Sequence, residues 1–396
     1  MDAEGVPMNG TQHSATQRKG TQHSADLVVV GSGIIGLGAA YAAVRRGLTV
    51  IVVDRADAPV GATIRNFGHL CIGAQTGEAR RYADLSRDLW LRLAHDADFW
   101  LRESGTLVAA RHPDEIAVLE QAAAEGGIRM LETDELLRLA PLRAEGLVGG
   151  AHVEPDLQTD PRTAAAAIVR HLAVQGVDFR FRTAVTSVAG RRVETTRGAI
   201  TAGAVVVAVN HDVDQLLPEV AARAGVERCA LDMMRAAVTL RHPLAAPLLT
   251  GWSLVRYGRF ADGAAAGALR ERLHSERPDL AALDLNQMYT QLPDGTLIIG
   301  DSHTTSSAPE PFQPEAAFAA FLAEAEALFD MPAPRVLERW QGVYAKAQHE
   351  FLIDRVEEGV LVLAATTGIG MTTGLGLAEE NLTAAFGRAP AMEGTS

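Results

Sequence analysis

Residues 31–36 carry the spacing that a nucleotide-binding turn requires. They read Gly-Ser-Gly-Ile-Ile-Gly and stand between the apolar run Leu27–Val30 and the Ala-rich helical pattern Ile34–Arg46. The first glycine permits a tight turn, the second lets the backbone approach a pyrophosphate, and the third allows close packing of helix on strand. The free N–H groups at the start of the helix attract phosphate. The predicted contacts are Gly31, Ser32, Gly33, Ile34, Ile35 and Gly36.

An acidic residue ends the second strand of this predicted β-α-β unit. Asp54 follows the apolar run Thr49–Val53, roughly twenty residues after the glycines, where a carboxylate accepts hydrogen bonds from an adenosine ribose. A carboxylate at this position disfavours a 2′-phosphate and therefore NADP. Arg55 is a neighbouring candidate contact. The pattern alone leaves NAD and FAD both open.

Two other glycine-containing segments could complete the site. Residues 61–69 read Gly-Ala-Thr-Ile-Arg-Asn-Phe-Gly-His and follow the second strand after a short loop. Residues 366–374 read Thr-Thr-Gly-Ile-Gly-Met-Thr-Thr-Gly and stand between a buried strand and a helix. A glycine-rich turn directly before a helix places N–H groups and the positive end of the helix dipole where negative charge can be stabilised.

With these segments, the chain resembles the D-amino-acid-oxidase-like FAD-dependent oxidoreductases, which include glycine and sarcosine oxidases. The resemblance runs from Asp26 to Phe386 and includes Asp160-Pro161-Arg162 and the segment Gly176–Val188. It implies FAD as the cofactor, a small amine as the substrate, and O2 or another electron acceptor. The further FAD contacts that it implies are Thr63, Asn66, Phe67, Gly68, His69, Val185, Gly368, Ile369, Gly370, Met371 and Thr372.

Short motifs are similar to those of one clade of this family, which is associated with organophosphonate catabolism. They are Arg65–Gly68, Gly300–His303, Arg339–Tyr344 and Gly370–Thr372. In glycine oxidase and its relatives, an Arg in a Gly-x-Arg segment binds the substrate carboxylate in a bidentate fork. Tyr344 stands in the place of that Arg here. A tetrahedral phosphonate needs no planar fork and can be held by several single donors.

The resemblance implies oxidation of a C–N bond in a small anionic amine, such as an N-methylated 2-aminoethylphosphonate. His303 and Tyr344 are the candidates for catalytic positioning. An amino-acid oxidase or dehydrogenase that acts on a carboxylate substrate stays open as an alternative, as does a non-catalytic dinucleotide-binding sensor. The candidate substrate-binding residues are Arg65, His69, Tyr289, His303, Trp340, Tyr344 and Lys346.

The FAD is expected to be held without a covalent bond. Sarcosine oxidases attach their flavin through a Cys near the C-terminal region, and dimethylglycine-type enzymes attach it through a His in the N-terminal loop. No Cys follows Cys229 in this chain. Arg65 occupies the position of the attaching His, although His69 stands close to it.

Composition disfavours several other classes of protein. The 396 residues include 36 Lys and Arg against 49 Asp and Glu, so the formal charge of −13 argues against a nucleic-acid or anionic-membrane binder. Cys71 and Cys229 have neither zinc-ligand nor disulfide-framework spacing, so no metal is predicted and a cytoplasmic location is expected. Four glycines interrupt the apolar run Leu27–Val44, so no integral membrane segment is expected.

The predicted order of elements indicates an α/β protein. A Rossmann-like, discontinuous FAD-binding domain is expected from residues 26–75, 150–215 and 345–387. The remaining residues, 76–149 and 216–344, are expected to form an α+β substrate domain on a mixed, largely antiparallel sheet.

Individual elements and both ends of the chain can also be predicted. Glu78–Ser104 is expected to be a long amphipathic helix, and Leu375–Phe386 the last helix. Residues 1–25, which repeat Gly-Thr-Gln-His-Ser-Ala, and residues 388–396 are expected to be tails because their composition is small and polar.

Overall fold

The computed structural model describes residues 23–389, which form eighteen β-strands and thirteen α-helices. The strands are β1 (His23–Val30), β2 (Val50–Val53), β3 (His69–Leu70), β4 (Leu101–Arg102), β5 (Thr106–Ala110), β6 (Ile128–Leu131), β7 (Gly149–Val153), β8 (Leu157–Thr159), β9 (Asp178–Arg180), β10 (Val185–Ala189), β11 (Arg192–Thr195), β12 (Gly198–Val207), β13 (Glu227–Ala237), β14 (Leu248–Leu249), β15 (Met288–Gln291), β16 (Leu297–Ser306), β17 (Arg335–Glu357) and β18 (Val360–Thr367). The helices are α1 (Ile34–Val44), α2 (Gly77–Asp96), α3 (Pro113–Ala123), α4 (Thr133–Leu139), α5 (Pro161–Val174), α6 (Val213–Leu216), α7 (Pro218–Ala224), α8 (Gly251–Leu254), α9 (Gly258–Ala261), α10 (Ala264–Glu276), α11 (Pro278–Ala282), α12 (Glu315–Leu328) and α13 (Gly370–Phe386).

Fifteen of these strands join one continuous sheet. Its order is β6-β7-β5-β14-β15-β16-β13-β17-β18-β12-β1-β2-β9, and the hairpin of β10 and β11 pairs with β12. The strands β3, β8 and β4 form a separate small sheet. The long strand β17 connects the two halves of the large sheet, because residues 335–346 pair with β13 and residues 346–357 pair with β18.

The half of the sheet from β18 to β9 contains most of the parallel strand pairs. Residues Leu27–Val30 of β1 pair in parallel with both β12 and β2. These residues are buried on both faces, as is typical of a parallel sheet covered by helices. Among those helices, α13 packs closely on its neighbours: a Cβ on Gly38 would lie 3.1 Å from Leu375, and one on Gly376 would lie 2.1 Å from the carbonyl oxygen of Tyr82.

The other half of the sheet is mainly antiparallel. Strand β13 pairs antiparallel with both β16 and β17, and β15 pairs antiparallel with β16. The turn between β15 and β16 has the sequence Pro-Asp-Gly and contains Gly295 at φ +82. A hydrophobic core lies against this half of the sheet and includes Met233, Leu248 and Phe329.

The predicted α/β architecture with a mixed, largely antiparallel sheet is confirmed, but several element boundaries are wrong. Helix α2 ends at Asp96 instead of residue 104, because Asp98 adopts φ +50 and Leu101–Arg102 pairs with β8. Helix α13 begins at Gly370, five residues before Leu375, so most of the glycine-rich segment is helical. Strand β1 begins at His23, inside the predicted tail.

The rest of the predicted tails lies mostly outside the described residues, as residues 1–22 and 390–396. The division into two domains stays a prediction, since one sheet runs through both. None of the helices between residues 23 and 389 has the length and apolar composition that crossing a membrane requires.

Candidate active site

A cavity of about 450 Å³ lies at the carboxyl ends of the parallel strands β1, β2 and β12. Ligands of open α/β sheets bind at this edge. Its wall contains seven of the residues predicted to bind the cofactor. They are Gly31, Ser32, Gly33, Asp54, Arg55, Thr63 and Val185.

The glycines of the turn are required by the close approach of backbone to backbone. Gly31 has φ +104, and a Cβ there would lie 2.5 Å from the carbonyl oxygen of Ala208. A Cβ on Gly36 would lie 2.0 Å from the carbonyl oxygen of Gly31. Gly33 differs, because its φ of −69 suits any residue and its Cβ would lie 3.3 Å from Thr63 Oγ1. The bare backbone of Gly33 therefore forms part of the cavity wall.

Asp54 is oriented by the turn that it faces. Its Oδ2 accepts hydrogen bonds from the Ser32 N–H at 2.7 Å and the Ser32 hydroxyl at 2.6 Å, and its Oδ1 accepts one from the Ala56 N–H at 2.9 Å. The first N–H of α1, that of Ile34, donates to Thr63 Oγ1 at 2.8 Å. The carboxylate and the helix N-terminus thus lie in one wall, as the sequence pattern predicts.

A second cavity of about 100 Å³ adjoins the first. The two share Gly33, Thr63 and Arg65 as lining residues, among others. The N-terminus of α13 reaches this cavity at Gly370 and Met371. Five more predicted residues line it: Ile34, Ile35, Asn66, Tyr344 and Gly368.

Other predicted cofactor residues do not line either cavity, namely Gly36, Phe67, Gly68, His69, Ile369 and Thr372. Two of these residues instead hold neighbouring segments of the chain in position. A Cβ on Gly68 would lie 1.9 Å from the carbonyl oxygen of Thr159, and Thr372 Oγ1 accepts a hydrogen bond from the Cys71 N–H at 3.0 Å. These residues place the loop and the helix that carry the lining residues.

The side chain of His69 belongs to a buried polar cluster away from the cavity walls. Its Nε2 lies 2.5 Å from Thr106 Oγ1 and 3.3 Å from Asp156 Oδ2, and its Nδ1 lies 3.2 Å from Met288 Sδ. Thr106 also donates to Asp156 Oδ2 at 2.6 Å. Since these contacts use both ring nitrogens, the structure does not bring His69 to a bound ligand.

Two further candidates for the substrate site also lie elsewhere. Tyr289 is 1% exposed, accepts a hydrogen bond from Gln287 Nε2 at 2.9 Å, and packs edge-on against Phe329. Trp340 packs beneath the guanidinium of Arg162, 5.0 Å from the ring centroid. Tyr289 is therefore a core residue, and Trp340 lies away from both cavities.

His303 lies beside the second cavity but is not a cation. Strand register places His303 opposite Leu231, and Leu231 opposite Gly342; the latter two line the cavity. Burial and the charge of Arg256 lower the pKa of His303 to about 3, so its imidazole is neutral at pH 7. As a substrate-binding candidate, His303 therefore offers a neutral ring and no positive charge to an anionic substrate.

Four polar residues that sequence reasoning missed surround His303 and Tyr344. Arg256 Nη1 donates to Asp284 Oδ1 at 2.6 Å and to the Asp284 carbonyl at 3.1 Å. Asp301 and Asn286 exchange backbone hydrogen bonds of 2.7 and 2.8 Å. The set consists of Arg256, Tyr257, Asn286 and Asp301. Asp301 lies within the Gly300–His303 motif, but no motif marks Arg256, Tyr257 or Asn286. The four residues come from the segment between α8 and α9 and from the two ends of one hairpin.

The charges of this set act on Tyr344. Burial raises the pKa of Tyr344, with Cys229 and Asp301 adding to the effect and the charge of Arg256 opposing it. Lys346, two residues further along β17, lies close enough for its charge to lower the pKa of Asp284. Positive and negative groups therefore stand side by side near Tyr344, which itself lines the second cavity.

Comparison with known proteins identifies the family. Residues 26–382 match the family described as DAO, FAD dependent oxidoreductase. The chain belongs to this family. Its cofactor is therefore FAD, and the first cavity fits the dinucleotide: Gly31 and Gly33 provide bare backbone, the N-terminus of α1 provides N–H groups, and Asp54 provides an oriented carboxylate.

Individual relatives within the DAO family are distant. Glycine oxidase from Bacillus licheniformis is 26% identical over 184 residues, which are 44% of this chain and 48% of that protein. The matched region thus spans about half of that relative's length. One of the subunits of opine oxidase from Rhizobium meliloti is 26% identical over 371 residues, 88% of this chain and 90% of that protein. The crystal structure of glycine oxidase from Geobacillus kaustophilus superposes with a TM-score of 0.72 at 20% identity, covering 94% of this chain and 100% of that chain, so the two share a fold.

Proposed function

We propose that this member of the DAO family oxidises a carbon–nitrogen bond of a small amine that carries an anionic head group. The observation that carries the proposal is the pair of opposite charges beside Tyr344. Arg256, whose side chain is 23% exposed, offers guanidinium donors, and Asp301, which is 4% exposed, offers a carboxyl group. A zwitterionic amine carries the complementary charges.

Residues at different places in the two cavities have different roles. FAD, when bound, accepts a hydride from the carbon next to the amine nitrogen. Gly33 and Asp54 hold the nucleotide end, and the N-terminus of α13 at Gly370 stabilises negative charge at the other end. Leu231 and Tyr344 form the wall that orients the substrate and excludes water.

The proposed head group is a phosphonate. Three kinds of support favour it: the resemblance to the phosphonate-associated clade, the replacement of the carboxylate-binding Arg by Tyr344, and the separate cations Arg65, Arg256 and Lys346. Single donors that approach from different directions suit a tetrahedral anion better than a planar carboxylate. The proposed substrate is therefore an aminoalkylphosphonate, such as N-methyl-2-aminoethylphosphonate.

A second candidate is an amino-acid oxidase or dehydrogenase that acts on a carboxylate substrate. The names of the relatives, glycine oxidase and opine oxidase, favour it. Under this alternative, Arg65, Arg256 or Lys346 would bind the carboxylate without the fork of the family.

An anaerobic substrate panel distinguishes the two. 2-Aminoethylphosphonate and its N-methyl form are compared with glycine, sarcosine and D-alanine, and the bleaching of the visible flavin band is recorded. The phosphonates are expected to bleach the band at least tenfold faster. Equal rates with carboxylates would favour the second candidate, and a protein that no amine bleaches would contradict both and favour a non-catalytic sensor. Repeating the assay with O2 and with an artificial dye identifies the class of electron acceptor.

The proposal includes a reducing, cytoplasmic environment. Cys71 and Cys229 are both buried free thiols in the structure, and such thiols persist where disulfides are kept reduced.

A further inference from the structure

We propose that Asp301, supported by His303, accepts the proton that the substrate ammonium must lose before its carbon–nitrogen bond is oxidised. This inference rests on the proposed function and assigns a further residue to it. An ammonium nitrogen has no lone pair to assist loss of a hydride from the neighbouring carbon, so the amine reacts only in its neutral form. A positioned carboxylate can remove that proton.

The position of Asp301 follows from the strand register. Gly300 pairs with Met233 and Ser302 pairs with Asp232, so Asp301 is the extra residue of a bulge in β16. Its backbone is tied to Asn286 by two hydrogen bonds. Its Oδ2 lies 3.3 Å from Nε2 of His303. His303 stands opposite Leu231, which lines the second cavity. Asp301, in contact with His303, therefore lies on the face of the sheet that adjoins this cavity.

The hydrogen bonds of His303 assign its tautomer. Its Nδ1 lies 3.0 Å from the carbonyl oxygen of Asp284, and because a carbonyl only accepts, Nδ1 carries the hydrogen. The neutral ring therefore presents a lone pair at Nε2 to Asp301 Oδ2. An ionised carboxylate is repelled by this lone pair, whereas a protonated one donates to it. His303 thus makes Asp301 a better proton acceptor.

The second oxygen of Asp301 is free to meet a ligand. Oδ1 is buried and has no hydrogen-bond partner among the described residues. Leaving such an oxygen ionised and unpaired in a buried site is unfavourable, and an N–H donor of the substrate removes this penalty. Of the two carboxyl oxygens, Oδ2 therefore faces His303, and Oδ1 can accept a hydrogen bond from the amine.

The charged and titratable groups around Asp301 come from four segments. Burial raises the pKa of Asp301 to about 7, whereas the charge of Arg256 and the nearby Asn286 side chain oppose this rise and the charge of Asp284 adds to it. Tyr257 and Tyr344 stay protonated, because burial raises the pKa of each phenol. The charge of Lys346 reaches His303 and works against its protonation. At neutral pH, Asp301 can therefore exchange a proton while its neighbours keep theirs.

The step itself is a balanced proton transfer. One N–H bond of the substrate ammonium breaks, its electron pair stays on nitrogen as the lone pair, and the proton joins the Asp301 carboxylate. The proton first binds Oδ1, the oxygen that faces the ammonium. A half-turn of the carboxyl group about its Cβ–Cγ bond then directs the O–H to His303 Nε2 and presents the other oxygen to the remaining N–H of the amine. No electron is exchanged and no further reactant is needed.

Proton release on ligand binding tests whether Asp301 meets the amine. The ligand is 2-amino-2-methylpropylphosphonate, whose amine-bearing carbon has no hydrogen and cannot be oxidised. Calorimetry of the FAD-loaded enzyme in buffers of different ionisation enthalpy is expected to show release of about one proton at pH 6, where Asp301 binds a proton, and almost none at pH 8. Asp301→Asn is expected to release none at either pH. Release by the variant equal to that of the wild type would overturn the proposal.

The rate of flavin reduction tests the transfer. In the wild type, the anaerobic rate with N-methyl-2-aminoethylphosphonate is expected to rise with pH through a limb near 7. Asp301→Asn is expected to lose this limb and to react about 100-fold more slowly at pH 7.5. His303→Asn keeps a donor near the Asp284 carbonyl but removes Nε2, so the limb is expected to move to lower pH. If Asp301→Asn keeps both the pH limb and the wild-type rate, the proposal is overturned.

A matched variant tests whether replacing any buried strand Asp would have the same effects. Asp232→Asn replaces another buried Asp, one whose oxygens already accept from Ser302 and Gln341. It is expected to leave proton release and the pH limb unchanged, with normal FAD content and thermal unfolding in all variants. If no amine reduces the flavin of the wild type, the proposed function fails. If amines reduce it and Asp301→Asn behaves as wild type, this inference alone fails.

Discussion

The ring of Tyr344 lies 3.0 Å from the point at which a Cβ on Gly368 would stand. Gly368 adopts φ +79 at the end of β18, and both residues line the second cavity. A phenol on β17 and a bare backbone before α13 therefore form one continuous wall. The wall tolerates no larger residue at 368 unless Tyr344 moves.

Gly368→Ala is expected to destabilise the protein by about 1–3 kcal/mol. The methyl group is strained at positive φ, and it pushes the Tyr344 ring into the cavity. FAD content and thermal unfolding of the purified protein measure the effect, with both expected to fall. Gly359→Ala is the matched control, because Gly359 adopts φ +82 but its Cβ would meet its nearest atom only at 3.5 Å. A loss of FAD as large in the control would show that Tyr344 plays no part.

The nucleotide end of the site could be predicted from the sequence because its signals are local. Gly31, Gly33 and Asp54 lie within one β-α-β unit. Each is recognisable by its residue type alone, because nucleotide binding needs a bare backbone at the two glycines and a carboxylate at Asp54. The N-terminus of α13 was recognisable for the same reason. Helix α13 begins five residues before the predicted start. Threonine and glycine have low helix propensity, so the sequence favours a turn here, and packing against α1 and α2 makes the segment helical.

The substrate end could not be predicted, because its groups meet through long-range pairing. Arg256 comes from a short segment between two four-residue helices, and Asp301 comes from a bulge in β16. Neither position differs in residue type from an ordinary surface Arg or strand Asp. Tyr289 illustrates the opposite error. Its polar aromatic side chain is typical of a ligand contact, but its burial assigns it to the core.

Gly33→Val is expected to yield protein without FAD. Val can adopt the φ of −69 at this position, so the fold is kept, but its side chain occupies the wall of both cavities and contacts Thr63. The ratio of visible to ultraviolet absorbance after purification reports FAD content. Gly267→Ala in α10, where a Cβ meets nothing within 4 Å, is expected to keep full colour. Normal FAD content in Gly33→Val would contradict the assignment of this cavity to the pyrophosphate.

Acid precipitation is expected to release all of the FAD into the supernatant. Among the described residues that line the second cavity, none is a Cys or a His, so the side chains that attach flavins covalently in related enzymes are missing there. Both thiols of the chain are buried, and neither lines this cavity. The measurement compares the flavin absorbance of pellet and supernatant. Yellow colour that stays with the pellet would show a covalent bond.

Arg256→Gln is expected to raise the KM for N-methyl-2-aminoethylphosphonate by about 10- to 100-fold, because a charge-assisted hydrogen bond contributes about 1.5–3 kcal/mol. The kcat is expected to change little, since the head group is bound equally in the ground and transition states. The partner Asp284 can lose this ion pair at little cost, because its side chain is 63% exposed. The charge of Arg256 also lowers the pKa of buried Asp301, so both substrates are compared at a pH above the limb of Asp301, where that carboxyl group is ionised in either protein. N-Methylethylamine, which has no anionic group, is expected to react with unchanged kcat/KM. Arg270→Gln is the matched control, since Arg270 is an exposed Arg that donates to the nearby Val255 carbonyl. If Arg256→Gln weakened both substrates equally, Arg256 would serve the structure of the site and another cation would bind the head group.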